Sequence, residues 1–406
     1  MTYLKTLHPY PAMIADELAA SLAQRFINPG ALVLDPFCGT GRTLMAAAER
    51  GGKCLGVDVN PLAVMIANAK AGAARPAVLD HLICDLSRKR LPSKALLLDL
   101  EPGRLVDWFS NDARCELSQI IDWINQQRLD RAELLLVAAV LSATARDVSL
   151  CRKKQWKLHR MDAAKRKTYR RSAWKVFVRK LSAVAQELIQ KRPFTMGKVE
   201  ALQGDARDLP SILPPCWKGQ LDVVFTSPPY GDSRTTVGYG GVSGICLGVV
   251  RNIRGMENIF LTGGEIDYRC LGGGTLASHQ IDFDLSCFWK GDAASSAAKR
   301  VTKFLIDVYD SCGAVVDSLK DNGWAIFVVS RRRVDGEILY LDYFLTEVLG
   351  RCGVALVEQS LRCVDGKRTP LWVDSKARTR RTRDENNSFT PTITEEIVQV
   401  FRKRPA

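Results

Sequence analysis

Apolar residues recur along this chain with two different periods, and the way the two alternate predicts an α/β protein. Short runs rich in valine and leucine occupy residues 31–34, 53–57, 221–225 and 324–329. Each reads as a buried strand. Between them the spacing turns helical. Ile14, Leu18, Leu22 and Phe26 mark a first helix, which Asn28-Pro29-Gly30 ends, and residues 42–50 are alanine-rich. Asn60-Pro61 starts another helix through Ala63, Met65 and Ala67. Later, Phe304, Ile306, Val308, Tyr309, Val315 and Val316 predict a helix that Asn322-Gly323 would close, and 341–349 predicts one more. Residues 354–357 and 397–401 alternate like closing antiparallel strands.

Two stretches break this rhythm. From about 85 to 195, Trp108, Phe109, Leu117, Ile120, Ile121, Trp123 and Ile124 recur at helical spacing, and 132–145 is strongly helical. This predicts an inserted helical subdomain. Residues 231–297 are glycine-rich, with few strong helix formers. They predict a long loop or a small irregular subdomain.

Charge sharpens the picture. The 406 residues carry 58 Lys and Arg against 44 Asp and Glu, a net charge of +14 that points to a polyanionic partner. The excess gathers at Arg152, Lys153, Lys154, Lys157, Arg160, residues 165–167, Arg170, Arg171, Lys175, Arg179 and Lys180. Trp156, Tyr169 and Trp174 are interleaved; they can stack on bases or pack in the core. A second basic run, residues 376–383, is expected to be an exposed loop meeting a phosphate backbone. Twelve scattered cysteines without a CxxC pair, beside four histidines, give no zinc spacing and predict reduced thiols. No metal is expected. No apolar run approaches membrane-spanning length and the start lacks signal-peptide character, so a soluble cytoplasmic protein is expected.

The candidate chemistry lies at strand ends. Residues 221–225 run into Thr226-Ser227-Pro228-Pro229-Tyr230. Two prolines stiffen the backbone where open α/β sheets bind ligands. Such a turn aims backbone carbonyls and the Ser227 hydroxyl at one point beside an aromatic face, which suits a planar amine. The 31–34 strand runs into Asp35-Pro-Phe37-Cys-Gly39-Thr-Gly41 and then a helix, the frame of a nucleotide-type cofactor loop. It lacks the Lys-Ser/Thr of a phosphate-binding loop. Asp35 can take a cationic amine, and Asp58 at the next strand end suits a ribose diol. A ribose, an ammonium group and no phosphate fit S-adenosylmethionine better than NAD.

Those two motifs together resemble the amino-methyltransferases of DNA, in particular their cytosine-N4 branch, and His8-Pro-Tyr10-Pro resembles that family's N-terminal cofactor motif. The resemblance covers about half the chain. It implies an α/β, Rossmann-like class I methyltransferase sheet with a helical insertion and a loop-rich insertion. The implied organisation is 1–84, the cofactor-binding part of the core; 85–195, the basic helical insertion; and 196–230, core with the catalytic loop. Residues 231–297 would be a loop-rich insertion, read here as either a target-recognition element or a lid, and 298–406 the remainder of the core. Implied cofactor residues are His8, Tyr10, Asp35, Phe37 (against the methionine part), Gly39, Gly41, Asp58, Asp205 (near the adenine) and Thr226. Ser227, Pro228, Pro229 and Tyr230 would be catalytic, acting on a cytosine flipped out of double-stranded DNA. A companion restriction endonuclease is the expected context.

Three rivals stand beside it. Adenine-N6 enzymes of this type usually carry an acid or amide where Ser227 stands. Guanine-N2 methyltransferases of tRNA share a Pro-Pro-Tyr-Gly loop, matched by residues 228–231, but generally carry a separate N-terminal RNA-binding domain, and about thirty residues precede the cofactor strand here. A nucleic-acid-binding protein on a decayed core is disfavoured by intact Asp35, Gly39, Gly41, Ser227 and Tyr230. Pro215-Cys216, similar to a cytosine-C5 nucleophile motif, precedes the 221–225 strand rather than following it, so Cys216 is not expected to be a nucleophile.

Overall fold

The computed structural model describes residues 4–11, 13–72, 74–88, 105–153, 156, 158–190, 197–231, 238–274, 281, 283–363, 372–374, 389–391 and 395–405. The basic run at 376–383 lies outside them. The chain opens with α1 (Asp16–Phe26), β1 (Leu32–Asp35), α2 (Arg42–Glu49), β2 (Lys53–Asp58) and α3 (Pro61–Ala71). Helices α4 (Pro76–Arg88), α5 (Asn111–Gln126), α6 (Arg131–Val148), α7 (Ala163–Thr168) and α8 (Ala173–Gln190) come next. Then follow β3 (Val199–Gln203), α9 (Leu209–Ile212), β4 (Leu221–Thr226), α10 (Tyr239–Val250), α11 (Gly263–Arg269), α12 (Ser296–Ser318) and β5 (Leu319–Val329). The chain finishes with β6 (Arg332–Val334), β7 (Glu337–Leu339), α13 (Leu341–Arg351), β8 (Val354–Cys363), β9 (Trp372–Asp374), β10 (Phe389–Pro391) and β11 (Glu395–Lys403). Among the described residues no helix is long and apolar enough to cross a membrane.

The chain divides into two compact units: residues 1–30, 38–203 and 237–267, and residues 31–37, 204–236 and 268–406. In the second, β1, β4 and β5 run parallel, with Val33 and Leu34 opposite Val223 and Val224. The sheet continues through β11, antiparallel to both β5 and β8. Strands buried on both faces tolerate unbroken apolar runs, and β4 is buried along nearly its whole length. Asn322 and Gly323 do not close α12, as the sequence suggested. That helix ends at Ser318, and Asn322 takes a φ of 60° inside β5, where the pairing with β4 shifts register.

In the first unit β2 and β3 pair in parallel, Cys54 opposite Val199 through Asp58 opposite Gln203. Helix α6 begins at a capping box in which Asp130 and Glu133 satisfy each other's backbone N–H, and residues 135–145 are all buried. Parallel strands joined by helices, completed by an antiparallel pair, make a Rossmann-like α/β fold.

The loop expected at 231–297 is the main correction, because residues 239–250 form a buried helix. Gly240, Gly244 and Gly248 recur every fourth residue, so they share one helix face. A methyl on Gly240 would run into the Gly263 carbonyl, one on Gly244 would meet the Gly263 nitrogen at 2.9 Å, and one on Gly248 would strike Leu105. Close approach outweighs the poor helix propensity of glycine here. Gly240→Ala is expected to destabilise the protein by about 1–3 kcal/mol through overpacking. Thermal denaturation would check it against Gly264→Ala, where no atom stands in the way.

Candidate active site

The second unit holds the Pro-Pro loop. Strand β1 ends at Asp35 and β4 at Thr226, both buried. The Thr226 hydroxyl donates to Asp35 Oδ1 at 2.6 Å, and the Phe37 amide donates to the same oxygen at 3.0 Å. Thr226 therefore orients Asp35. Immediately after β4, Ser227 Oγ lies 3.1 Å from the Tyr230 hydroxyl, closing the Pro228-Pro229 turn. Pro228 is buried, while Ser227, Pro229 and Tyr230 are half-buried. Burial, with the nearby charge of Glu396, pushes the Tyr230 phenol well above its usual range, so it stays a neutral hydroxyl.

Asp205 sits in the same unit, tied down by a residue that sequence reasoning passed over. Arg207 donates to both Asp205 oxygens, at 2.9 and 2.5 Å, and to Asp307 Oδ1 at 2.5 Å. Buried Asp307 also accepts from the Gly272 amide at 2.6 Å. Burial works against the guanidinium charge, but the two carboxylates more than offset it and hold its pKa up. The available signal was Arg207 two places after Asp205, a spacing at which a side chain can fold back on a turn. Its second partner, Asp307, is a hundred residues away.

The first unit holds the glycine loop. Gly39 and Gly41 adopt φ of 50° and 77°, the left-handed region that glycine enters without strain. The Gly39 amide donates to Asp58 Oδ2 at 2.9 Å, and the Asn60 amide to Oδ1 at 2.8 Å. Burial still pushes the Asp58 carboxyl up to about 6, against those two donors.

Tyr10 lies over this loop: a Cβ on Gly39 would be 4.0 Å from its ring. The Asn60 side-chain Nδ2 donates to the Tyr10 hydroxyl at 3.0 Å and to Ser243 Oγ at 2.9 Å. Tyr10 stacks on Tyr239 (5.8 Å, 23°) and meets the edge of Trp156 at 5.2 Å. His8 is buried, and its Nδ1 donates to the Pro9 carbonyl at 2.8 Å. Burial, helped by the charges of Arg146, Lys180 and Lys70, holds its pKa down at about 3, so it is neutral at pH 7.

Sequence reasoning did not foresee that α8 anchors this N-terminal segment. Glu187 accepts from the Lys5 and Thr6 amides at 2.8 and 3.1 Å and from the Thr6 hydroxyl at 2.5 Å. Glu187→Ala should release residues 4–10, seen as a rise of roughly tenfold or more in their amide hydrogen exchange while α6 stays protected. The interleaved aromatics are also engaged internally. The Tyr169 hydroxyl donates to the Asp147 carbonyl at 2.7 Å, the Arg146 guanidinium lies 4.5 Å over Trp156, and the Trp174 amide donates to Glu116. The Tyr169 and Trp156 side chains thus have partners within the protein, whereas the Trp174 bond is made by its backbone. Cys216 is exposed ahead of β4, and all twelve cysteines are free thiols.

Comparison with known proteins narrows the class. Residues 3–69, which include His8, Asp35 to Gly41 and Asp58, match the DNA methylase family N6_N4_Mtase. The chain is 26% identical over 385 residues to type II methyltransferase M.MvaI of Kocuria varians, covering 89% of this chain and 84% of that protein. It is 30% identical over 83 residues to type II methyltransferase M.MjaII of Methanocaldococcus jannaschii, covering 20% of this chain and 16% of that protein. A SAM-dependent methyltransferase structure from Methanosarcina mazei aligns with 98% of this chain and all of its own, at 9% identity and a TM-score of 0.36. The fold, the paired motifs and the sequence matches define an S-adenosylmethionine-dependent methyltransferase. More narrowly, the family match and the relatives support a DNA methyltransferase of the N4/N6 type.

The chain's own groups fit that cofactor. The loop amide of Gly39 is spent on Asp58 rather than presented to a phosphate, and the acids Asp35 and Asp58 end β1 and β2 as hydrogen-bond acceptors, the chemistry that an ammonium or a diol calls for. S-adenosylmethionine would supply a methyl carbon activated by a sulfonium sulfur.

Proposed function

We propose that this protein methylates the exocyclic N4 of cytosine in duplex DNA, on a base turned out of the helix, as the modification half of a type II restriction-modification pair. The observation that carries the choice of cytosine is Ser227 at the first position beyond β4, with its Oγ 3.1 Å from the Tyr230 hydroxyl. An exocyclic amine is a weak nucleophile because its lone pair is shared with the ring. A site helps by accepting the amine hydrogens, which concentrates electron density on nitrogen and aims it. Ser227 can do this provided its own hydrogen is turned elsewhere. The Tyr230 oxygen is placed to take that hydrogen, leaving the Ser227 lone pairs toward the base. The Pro228 carbonyl is the second acceptor, and the Tyr230 ring receives the base face.

For the cofactor, Gly39 and Gly41 give close backbone approach, Asp58 accepts from the ribose hydroxyls, and Asp35, oriented by Thr226, accepts from the ammonium. Phe37, His8, Tyr10 and Asp205 complete the proposed contacts. M.MvaI and M.EcaI of Enterobacter cloacae are both named as type II methyltransferases, which favours the restriction-modification setting.

The test is incubation with S-adenosylmethionine and mixed-sequence duplex DNA, with tRNA in parallel, followed by nucleoside mass spectrometry. N4-methyldeoxycytidine is the expected product. N6-methyldeoxyadenosine would move the pocket to adenine, and methylguanosine in tRNA alone would overturn the duplex-DNA reading.

A further inference from the structure

We propose that the outward basic face running from α7 onto α8 grips the phosphate backbone of duplex DNA. The inference rests on the duplex-DNA reading above and names the surface that would carry it. Residues 152–180 hold thirteen of the 58 lysines and arginines but one of the 44 acids, so nearly all of the net charge of +14 sits in one stretch. A surface built for solubility intersperses both signs, whereas crowding one sign costs stability through self-repulsion.

The structure divides these cations by role. Arg152 pairs with Asp162, Arg160 with Asp107, and Arg171 and Lys180 with Asp147. Lys153 is turned inward onto the Arg146 and Ser149 carbonyls, at 2.7 and 2.5 Å. Those five hold the fold. Lys165, Lys167, Arg170, Lys175 and Arg179 are exposed, and among the described residues no carboxylate pairs with them. Lys175 and Arg179 stand one turn apart on α8, opposite the buried face of Val176, Phe177, Leu181 and Val184. This helix also anchors the N-terminal segment through Glu187, about two turns beyond Arg179. Flexible cations on a rigid helix suit phosphates, which fix position without reading sequence.

The experiment is fluorescence anisotropy of a labelled duplex against the full chain over a salt series. The quadruple variant K165Q/K167Q/K175Q/R179Q is compared with K53Q/K218Q/K290Q/K299Q, which removes the same charge from exposed positions elsewhere. Each lost phosphate contact flattens the plot of log affinity against log salt by about 0.9. The α7–α8 variant should lose two or more units of slope and at least tenfold in affinity, while the control stays within about twofold of wild type. Calorimetry with S-adenosylmethionine should be unchanged, showing the fold kept. If the quadruple variant fails that check, K167Q and K175Q singly should each lose about one unit of slope. Equal slopes for the wild type and the α7–α8 variants would overturn the proposal alone. An equal loss in the control variant would reduce the effect to net charge and overturn it too. A wild type that binds structured RNA but no duplex would overturn both this surface assignment and the function it rests on.

Discussion

Ser227→Ala is expected to lower methyl transfer by roughly a hundredfold to a thousandfold, the scale seen when one pre-aimed polar group is removed from a reacting centre. Cofactor affinity should stay near wild type, because the Ser227 hydroxyl bonds to Tyr230 within the Pro-Pro loop and its proposed partner is the base. Tyr230 separates two effects that one alanine variant would merge. Tyr230→Ala removes the ring and the hydroxyl together, and the loss of base stacking alone is worth about 1–3 kcal/mol. Tyr230→Phe keeps the ring but takes away the acceptor for the Ser227 hydrogen. That hydrogen is then free to point at the base amine, which itself needs acceptors, so turnover should fall about tenfold through loss of one hydrogen bond. Single-turnover rates with calorimetric cofactor binding read both quantities. Full turnover in Ser227→Ala would leave the Pro228 carbonyl as sufficient acceptor and remove the hydroxyl from the mechanism. Full turnover in Tyr230→Phe would show that the Ser227 hydrogen needs no partner.

How much of this was legible beforehand follows from the range of the interactions. Strand ends were readable because short apolar runs stop at Asp35, Asp58 and Thr226, and because Pro228-Pro229 and the Gly39 to Gly41 loop punctuate the backbone locally. Helix α3 was readable for the same reason: the Asn60 side chain caps it by accepting from the Leu62 amide, with Pro61 at its first position. What was hidden depends on partners distant in sequence. Helix α10 looked like a loop because glycine propensity is a local quantity, whereas its reason for being helical is the close approach of Gly263 and Leu105. The period-four spacing of Gly240, Gly244 and Gly248 was the clue in plain view. Arg207 and Glu187 were hidden because a salt bridge to Asp307 and an anchor on Thr6 leave no trace in the neighbouring residues. Thr226 was assigned to the cofactor from its position, but its hydroxyl is used 191 residues back along the chain, at Asp35.

Asp58 should give opposite pH trends in two measurements on the same protein. Its carboxyl, pushed up to about 6 by burial, holds a proton in the folded chain at pH values where the unfolded chain has lost it. Between about pH 4 and 6 the native state therefore binds more protons, so this group's contribution to stability grows as pH falls and is absent above about 6. Cofactor affinity should run the other way. A ribose diol donates hydrogens, and the ionised carboxylate is the better acceptor, so affinity should drop about tenfold for each pH unit below 6. Asp58→Ala should remove both trends and weaken cofactor binding at pH 7.5 by roughly a hundredfold. It also leaves the Gly39 and Asn60 amides without their acceptor, at about 1–3 kcal/mol for the stranded groups. Asp58→Asn should flatten both pH trends with a smaller loss, because the amide oxygen can serve one of the two amides while its NH2 faces the other. Calorimetric titration of S-adenosylmethionine from pH 5 to 8, beside denaturation over the same range, distinguishes these cases. If affinity in the wild type stayed level across pH 6, Asp58 would be a brace for the Gly39 loop and not a ligand of the ribose.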